Sequence, residues 1–191
     1  RSMDKERKLT LLSLQEALAE EVETIAQDML LKRPDGELAH LKAYRQHLPI
    51  LSGPDGEIDS GTSDLPAEES EHGVFQQFPW ALVQIRQGTI PSPGEDQTVY
   101  AMIIFGIFED SSECKGHEVL MILFERMMER FLKYPLLAGQ FTVTQIDNDH
   151  LFNWVIEDSN EDGDTHPFYF GGFEMAFQTP AFEREDPYGF A

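Results

Sequence analysis

The sequence predicts an α+β domain: a mixed β-sheet of about five strands packed with two main α-helices, in the order α-β-β-α-β-β-β. Three observations lead there. Two stretches repeat apolar residues at helical spacing, and five others alternate or run continuously apolar over strand lengths. The chain is 191 residues long and 41% hydrophobic, with 14 Phe, which is enough to bury a core despite a formal charge of −21. It divides into an N-terminal helix and lead-in segment (1–51), an acidic loop (52–73) and an α+β core (74–191), expected to form one structural domain.

The first helix is expected from Ser13. Ser13-Leu-Gln-Glu16 has the form of a capping box, and Leu14, Leu18, Val22, Ile25 and Met29 then recur on one face. Arg33-Pro34-Asp35-Gly36 is the expected stop. The stretch from His40 to Leu51 reads as a strand or a turn of helix, and residues 52–73 as a mobile loop, because Gly, Pro, Ser and acids crowd out apolar anchors. Arg1-Ser2 has the look of an expression-tag scar.

Residues 79–86 form the first core strand, with Ala81, Val83 and Ile85 opposite Trp80, Leu82, Gln84 and Arg86. A turn-rich connection (88–96) leads to the strand at 97–110. From Val99 to Phe108 that strand is apolar on both faces, so it is expected to be central and covered twice, the second cover coming from the first helix or a neighbouring subunit. Gly116 opens the second helix, whose buried stripe is Leu120, Leu123, Met127, Phe131 and Tyr134; Pro135 ends it. Met121 and the Met127-Met128 pair read as core filling. Strands follow at 141–147, at 150–158 with Phe152, Trp154 and Ile156 inside, and at 167–178. Asn148-Asp149 is the expected hairpin turn between the first two. Gly171-Gly172 marks a bulge or a close backbone approach in the last.

Charge narrows function. Residues 1–51 carry net −1, residues 52–73 net −7 and residues 74–191 net −13, so most of the excess lies on the core. Such a chain repels nucleic acid at long range. No apolar run approaches the ~20 residues that span a bilayer. The single Cys114 excludes an internal disulfide, suits a reducing compartment and reads as an inert surface thiol with Lys115 its one basic neighbour.

Catalytic signatures are absent: no phosphate loop, G-x-G-x-x-G, G-x-S-x-G, H-E-x-x-H or C-x-x-C. The six histidines (40, 47, 72, 117, 150 and 166) are scattered, although His150, Asp158 and His166 could converge across the last hairpin. Asp158-x-Asn160-x-Asp162-Gly163-Asp164 begins as a calcium loop does, yet its twelfth position is Tyr169 and its flanks read as strands. The expected role of that loop is electrostatic, with no metal and no cofactor.

Four segments in order, "FPWALVQIRQG" (78–88), "VYAMIIFGIFED" (99–110), "GHEVLMILFERMMERFLKYPLL" (116–137) and "PFYFGGFEMAFQTP" (167–180), resemble the tail terminator proteins of tailed bacteriophages and prophages. A Phe-Pro-aromatic strand start, a Gly-Ile-aromatic-acid strand end, a Gly-started amphipathic helix and a Gly-Gly strand carry the likeness, and "YRQHLPIL" adds to it. It covers most of residues 40–180, and is carried least by the insert at 52–73 and the tail "AFEREDPYGFA".

The resemblance implies a structural protein, not an enzyme. It implies self-assembly into a ring, with a homohexamer expected, that caps the tail tube and joins it to the head. The implied partners are the tail tube protein and the head connector protein, in the virion tail and, during assembly, the host bacterial cytoplasm. DNA passes through the ring without specific binding, and no membrane is involved. Glu95 and Asp96, or Asp158, Glu161, Asp162 and Asp164, are candidates for an acidic lumen. The connection 88–96 and the aromatics Phe182, Tyr188 and Phe190 are candidates for subunit contact. Two rivals remain open: an acidic DNA mimic that inhibits a nucleic-acid-binding protein, and a metal-dependent hydrolase using Asp158, Asp162, Asp164 and His166.

Overall fold

A computed structural model of the chain describes residues 11–49, 77–157 and 165–181. The elements run α1 (Leu11–Ile25), β1 (Leu31–Lys32), β2 (Leu38–Ala39), β3 (Lys42–Arg45), β4 (Trp80–Thr89), β5 (Gln97–Phe108), α2 (Gly116–Lys133), β6 (Leu136–Leu137), β7 (Phe141–Thr144), β8 (Phe152–Ile156) and β9 (Phe168–Thr179). The class is α+β as expected, but the strand count is higher. The five expected strands are β4, β5, β7, β8 and β9. The seven-stranded sheet adds β3 and β6 to give the order β3-β4-β5-β9-β7-β6, with β8 also on β9. Only β3–β4 is parallel.

The sheet is built on two 12-residue strands. β5 and β9 pair without interruption from Gln97–Thr179 to Phe108–Phe168. At roughly 3.3 Å per residue this ladder is on the order of 36 Å long. One face carries Ala81, Val83, Ile103, Phe105, Phe173, Met175 and Phe177, all buried under both helices. Each fully buried Phe there contributes on the order of 1.5–3 kcal/mol. α1 therefore does not supply the second cover expected of it, because Leu14, Leu18 and Val22 join the same core as α2's Leu120, Leu123, Phe124 and Met127. The opposite face is covered in two pieces. Phe78, Trp80 and Phe108 cluster with Phe168 and Phe170 toward one end. Toward the other end Ala176 is fully buried, and Asp147 reaches back to hydrogen-bond the Tyr100 hydroxyl at 3.1 Å.

Several local expectations are corrected. α1 is already helical at Leu11, so Ser13 and Glu16 lie inside it, and Glu16 pairs with Arg45 instead. The helix ends at Ile25, whose carbonyl accepts a 3.0 Å hydrogen bond from Arg126. That guanidinium, also paired with Asp28, satisfies a C-terminal group the helix itself cannot. Arg33-Pro34-Asp35-Gly36 is accordingly not a helix stop but the turn of the β1–β2 hairpin, with Gly36 at φ +86° and its N–H donating to Arg33 O at 2.9 Å. Of the two readings of His40–Leu51, the strand holds at β3.

In α2, Tyr134 falls past the helix end and is 66% exposed, and Phe124 fills the stripe in its place. Met127 is core, whereas Met121 is exposed. β7 and β8 do not pair with each other as strands. They lie end to end along β9, Thr142–Thr144 against Gln178–Ala176 and Phe152–Ile156 against Met175–Gly171. The residues between them form an excursion closed by one Ile146–His150 bridge, and its turn residues are Asp147 and Asn148, at φ +49° and +59°, one position earlier than expected. β8 being an edge strand, Trp154 is exposed and Phe152 and Ile156 only half-buried. β9 has no bulge at Gly171-Gly172. The close approach does occur, since a Cβ on Gly171 would sit 2.8 Å from Phe124 Cζ. The bulge lies in β4, where Arg86 is the extra residue between Ile85 and Gln87.

Candidate functional site

Past the Arg86 bulge, β4 stays paired with β5 through Gln87–Thr89, and the connection 90–96 leaves the sheet. Residues 86–96 are all exposed, and the turn in this connection is held by a 3.1 Å bond from Glu95 N to Ser92 O, with Gly94 at φ +83°. Glu95 and Asp96 sit here, both exposed. Their roles differ. Asp96 Oδ1 accepts the Ala181 N–H at 2.8 Å, so this carboxylate fixes the chain where it leaves β9. The connection 88–96 and the start of the C-terminal segment thus share one end of the sheet, as two subunit-contact candidates must if they act together. Phe182, Tyr188 and Phe190 lie outside the described residues.

Asp158, Glu161, Asp162 and Asp164 also lie outside them, as does the 52–73 loop. Their anchors, however, are placed. Glu157 N donates to Phe170 O at 3.0 Å and Thr165 O accepts from Phe168 N at 2.7 Å, both beside the Phe108–Phe168 end of the ladder. Glu95 and Asp96 are at the Gln97–Thr179 end. The two acidic candidates are therefore tethered at opposite ends of the ~36 Å ladder.

The histidines do not converge. His150 precedes β8, beside Asp149 at 3.4 Å, while His166 follows the 158–164 loop and meets the Tyr169 hydroxyl at 3.2 Å, at the other end of β8. Tyr169, the twelfth position of the calcium-like spacing, lays its ring on Gly116 at the start of α2. Among the described residues no group of three His, Cys, Asp or Glu side chains is placed to hold a metal ion. Cys114 is exposed, and Lys115 is paired with Glu113. No helix among the described residues is long and apolar enough to cross a membrane.

Two features escaped sequence reasoning. The first is a groove of about 510 Å³ between α1 and β3, lined by Glu16, Glu20, Glu23, Lys42, Arg45 and His47. Its charges are arranged in pairs, Glu16 with Arg45 and Glu23 with Lys42 at 3.1 Å. Glu23 Oε1 also accepts the Ala43 N–H at 2.9 Å, which closes part of the outer edge of β3. No motif announces this groove, because its residues come from two elements whose docking is tertiary.

The second is a carboxamide relay. Gln46 has φ +66°; its N–H still donates to Val83 O at 2.9 Å, and beyond that bond its side chain takes over the ladder to β4. Ile85 N donates to Gln46 Oε1 at 3.1 Å, and Gln46 Nε2 donates to Ile85 O at 3.3 Å. The buried Gln15 of α1 adds bonds to Gln46 Oε1 and Val83 O, both at 2.8 Å. A third ionic cluster ties the first hairpin to the end of β5, where Lys32 Nζ donates to Glu109 at 2.8 Å and to Asp110 at 2.9 Å. Burial pushes the Glu109 carboxyl up, but Lys32 and the Ser111 N–H overcome this and hold it below its ordinary value.

The geometry thus presents an exposed β4–β5 connection at one end of the ladder and a charged groove between α1 and β3. No protein-family model matches the chain, and a search of curated proteins finds no match for it.

Proposed function

We propose that the chain is a phage tail terminator-like assembly subunit, forming a homohexameric ring that caps the tail tube and joins it to the head. Its work is geometric, with no bond made or broken. The observation that carries this reading is the exposed β4–β5 connection: residues 90–96 leave the sheet, and Asp96 holds the Ala181 N–H beside them. An element of this kind reaches a neighbouring subunit without disturbing its own core. The resemblance of residues 78–88, 99–110, 116–137 and 167–180 to tail terminators supplies the biological setting.

The charge supports a bore for DNA. Carboxylates facing phosphates remove the counterion-release gain that makes proteins stick to nucleic acid, so a duplex slides past them. Because the two acidic segments are anchored at opposite ends of the ladder, one end faces the bore and the other does not, unless the ladder runs along it. The test is polymerisation. Tail tubes assembled from purified tube protein grow without limit when this protein is withheld and stop when it is supplied. Growth unaffected by its addition at saturating concentration overturns the reading.

A further inference from the structure

The outer edge of β8 and the flank of α2 beside it form a surface with no partner among the described residues. Glu157 N is bonded to Phe170 O, which makes 157–170 a hydrogen-bonded pair of the antiparallel ladder. Alternation then directs the peptide groups of Val155 and Asn153 toward β9 and those of Phe152, Trp154 and Ile156 outward. β6 covers the edge of β7, whereas among the described residues β8 pairs only with β9. Above this edge the Trp154 ring rests 5.7 Å from that of Phe124 and is still 48% exposed. Met121 and Met128 lie three residues before and four after Phe124 on α2, and Leu132 lies one turn further. Met121 and Leu132 are 45% and 61% exposed.

The rim of this strip is acidic. Glu118 and Glu125 flank Met121 and Leu132 on the same side of α2, Glu157 ends β8, and none of the three is in an ion pair among the described residues. The basic residues of α2 are elsewhere: Arg126 and Arg130 face α1 through Asp28 and Glu21, and Lys133 is held by Glu129. A second copy of the chain fits poorly at this edge, since it sets like acidic rims against each other. We propose that the β8 edge is a docking site for an extended segment of a basic partner protein. The segment adds as a strand to Phe152, Trp154 and Ile156, lays apolar side chains on Trp154, Met121 and Leu132, and places Lys or Arg against Glu118, Glu125 and Glu157. The main chain supplies affinity, and the acidic rim selects the partner.

The test uses the full chain and three synthetic peptides: alternating Val and Lys, alternating Val and Glu, and the Val-Lys peptide N-methylated at alternate residues to block strand pairing. The Val-Lys peptide is expected to slow amide exchange at Phe152, Trp154 and Ile156. It should also shift the emission of Trp154, with buried Trp80 as the constant background. The Val-Glu and N-methylated peptides should do neither. Met121→Lys with Leu132→Lys, two exposed helix positions that tolerate Lys, is expected to weaken Val-Lys binding by at least ~10-fold through like-charge repulsion. Equal protection by all three peptides, protection confined to other amides, or binding indifferent to the double variant overturns the proposal. So does a dimer, seen by sedimentation, that Trp154→Lys dissociates.

Discussion

The indole of Trp80 lies flat over Gly106, its directly paired neighbour across β4 and β5. A Cβ at position 106 would collide with ring carbons Cδ2, Cε2 and Cζ2. On the far side of Gly106 stands Phe170, whose ring centroid is 6.0 Å from that of Trp80, so the indole cannot retreat along the sheet. Gly106→Ala is therefore expected to destabilise the fold by about 1–3 kcal/mol, as overpacking does. Trp80→Phe together with Gly106→Ala should recover part of that loss. The indole N–H is buried with no hydrogen-bond partner among the described residues, so removing it sacrifices no bond. Urea unfolding of Gly106→Ala, Trp80→Phe and the double variant checks this, and strictly additive losses would disprove the packing argument.

The Gln46 carboxamide makes two bonds to the Ile85 backbone, next to the Arg86 bulge. Gln46→Ala leaves the Ile85 N–H and C=O without these partners at a half-buried position. The expected cost is about 1–3 kcal/mol, with faster exchange of the Ile85 amide. Gln15→Leu removes the bonds to Gln46 and Val83 but keeps the helix face filled, and should cost less. Hydrogen exchange resolved at Ile85 separates the two, and an unchanged Ile85 rate in Gln46→Ala would contradict the relay.

Lys32 links the β1–β2 hairpin to the end of β5, and it makes part of the stability depend on pH. Lys32 holds the Asp110 carboxyl below its ordinary 3.8, and Lys32 with Ser111 holds Glu109 below 4.5 despite burial. A carboxyl lowered in the folded state contributes stability that is present above its unfolded value and is lost as pH falls through the folded one. The Lys32 ammonium is raised above 10.5 by the same pair, so its contribution is lost only as pH rises past that value. Lys32→Met removes the partner while burial of Glu109 persists. The midpoint of acid unfolding is then expected at higher pH than in the parent. A midpoint that does not move would show that the pair is not coupled to folding.

What was legible in the sequence was what periodicity encodes. β4, β5, β9 and α2 stood out because their apolar pattern is long enough to repeat several times. The errors fall where a tertiary partner decides. α1 ends at Ile25 because Arg126, a hundred residues on, caps it there, while the stripe itself runs on to Met29. The turn chemistry of Pro34-Asp35-Gly36 was visible, but two-residue strands on each side are too short to show alternation. The excursion between β7 and β8 has the signature of a hairpin turn, and only the shared partner β9 reveals that both strands occupy one edge. In the sequence Glu95 and Asp96 are adjacent acids with nothing to tell them apart. The bond from Ala181 separates them, and no local pattern carries it.

That separation gives the last expectation. Glu95 is free to act by charge alone, whereas Asp96 also fixes the chain beyond β9. Glu95→Gln should leave thermal unfolding unchanged. Asp96→Ala should release the Ala181 amide to exchange and cost roughly 0.5–1.5 kcal/mol, the net worth of one such hydrogen bond. If the Glu95 end of the ladder faces the bore of a ring, Glu95→Gln should also raise the retention of duplex DNA at low salt, and the effect should fade as salt screens it. If the opposite end faces the bore, substitution of Asp158, Glu161, Asp162 and Asp164 by their amides should raise retention while Glu95→Gln does not. Retention measured side by side in the two variants assigns the bore to one end of the ladder. Equal indifference in both would remove DNA passage as the reason for the charge.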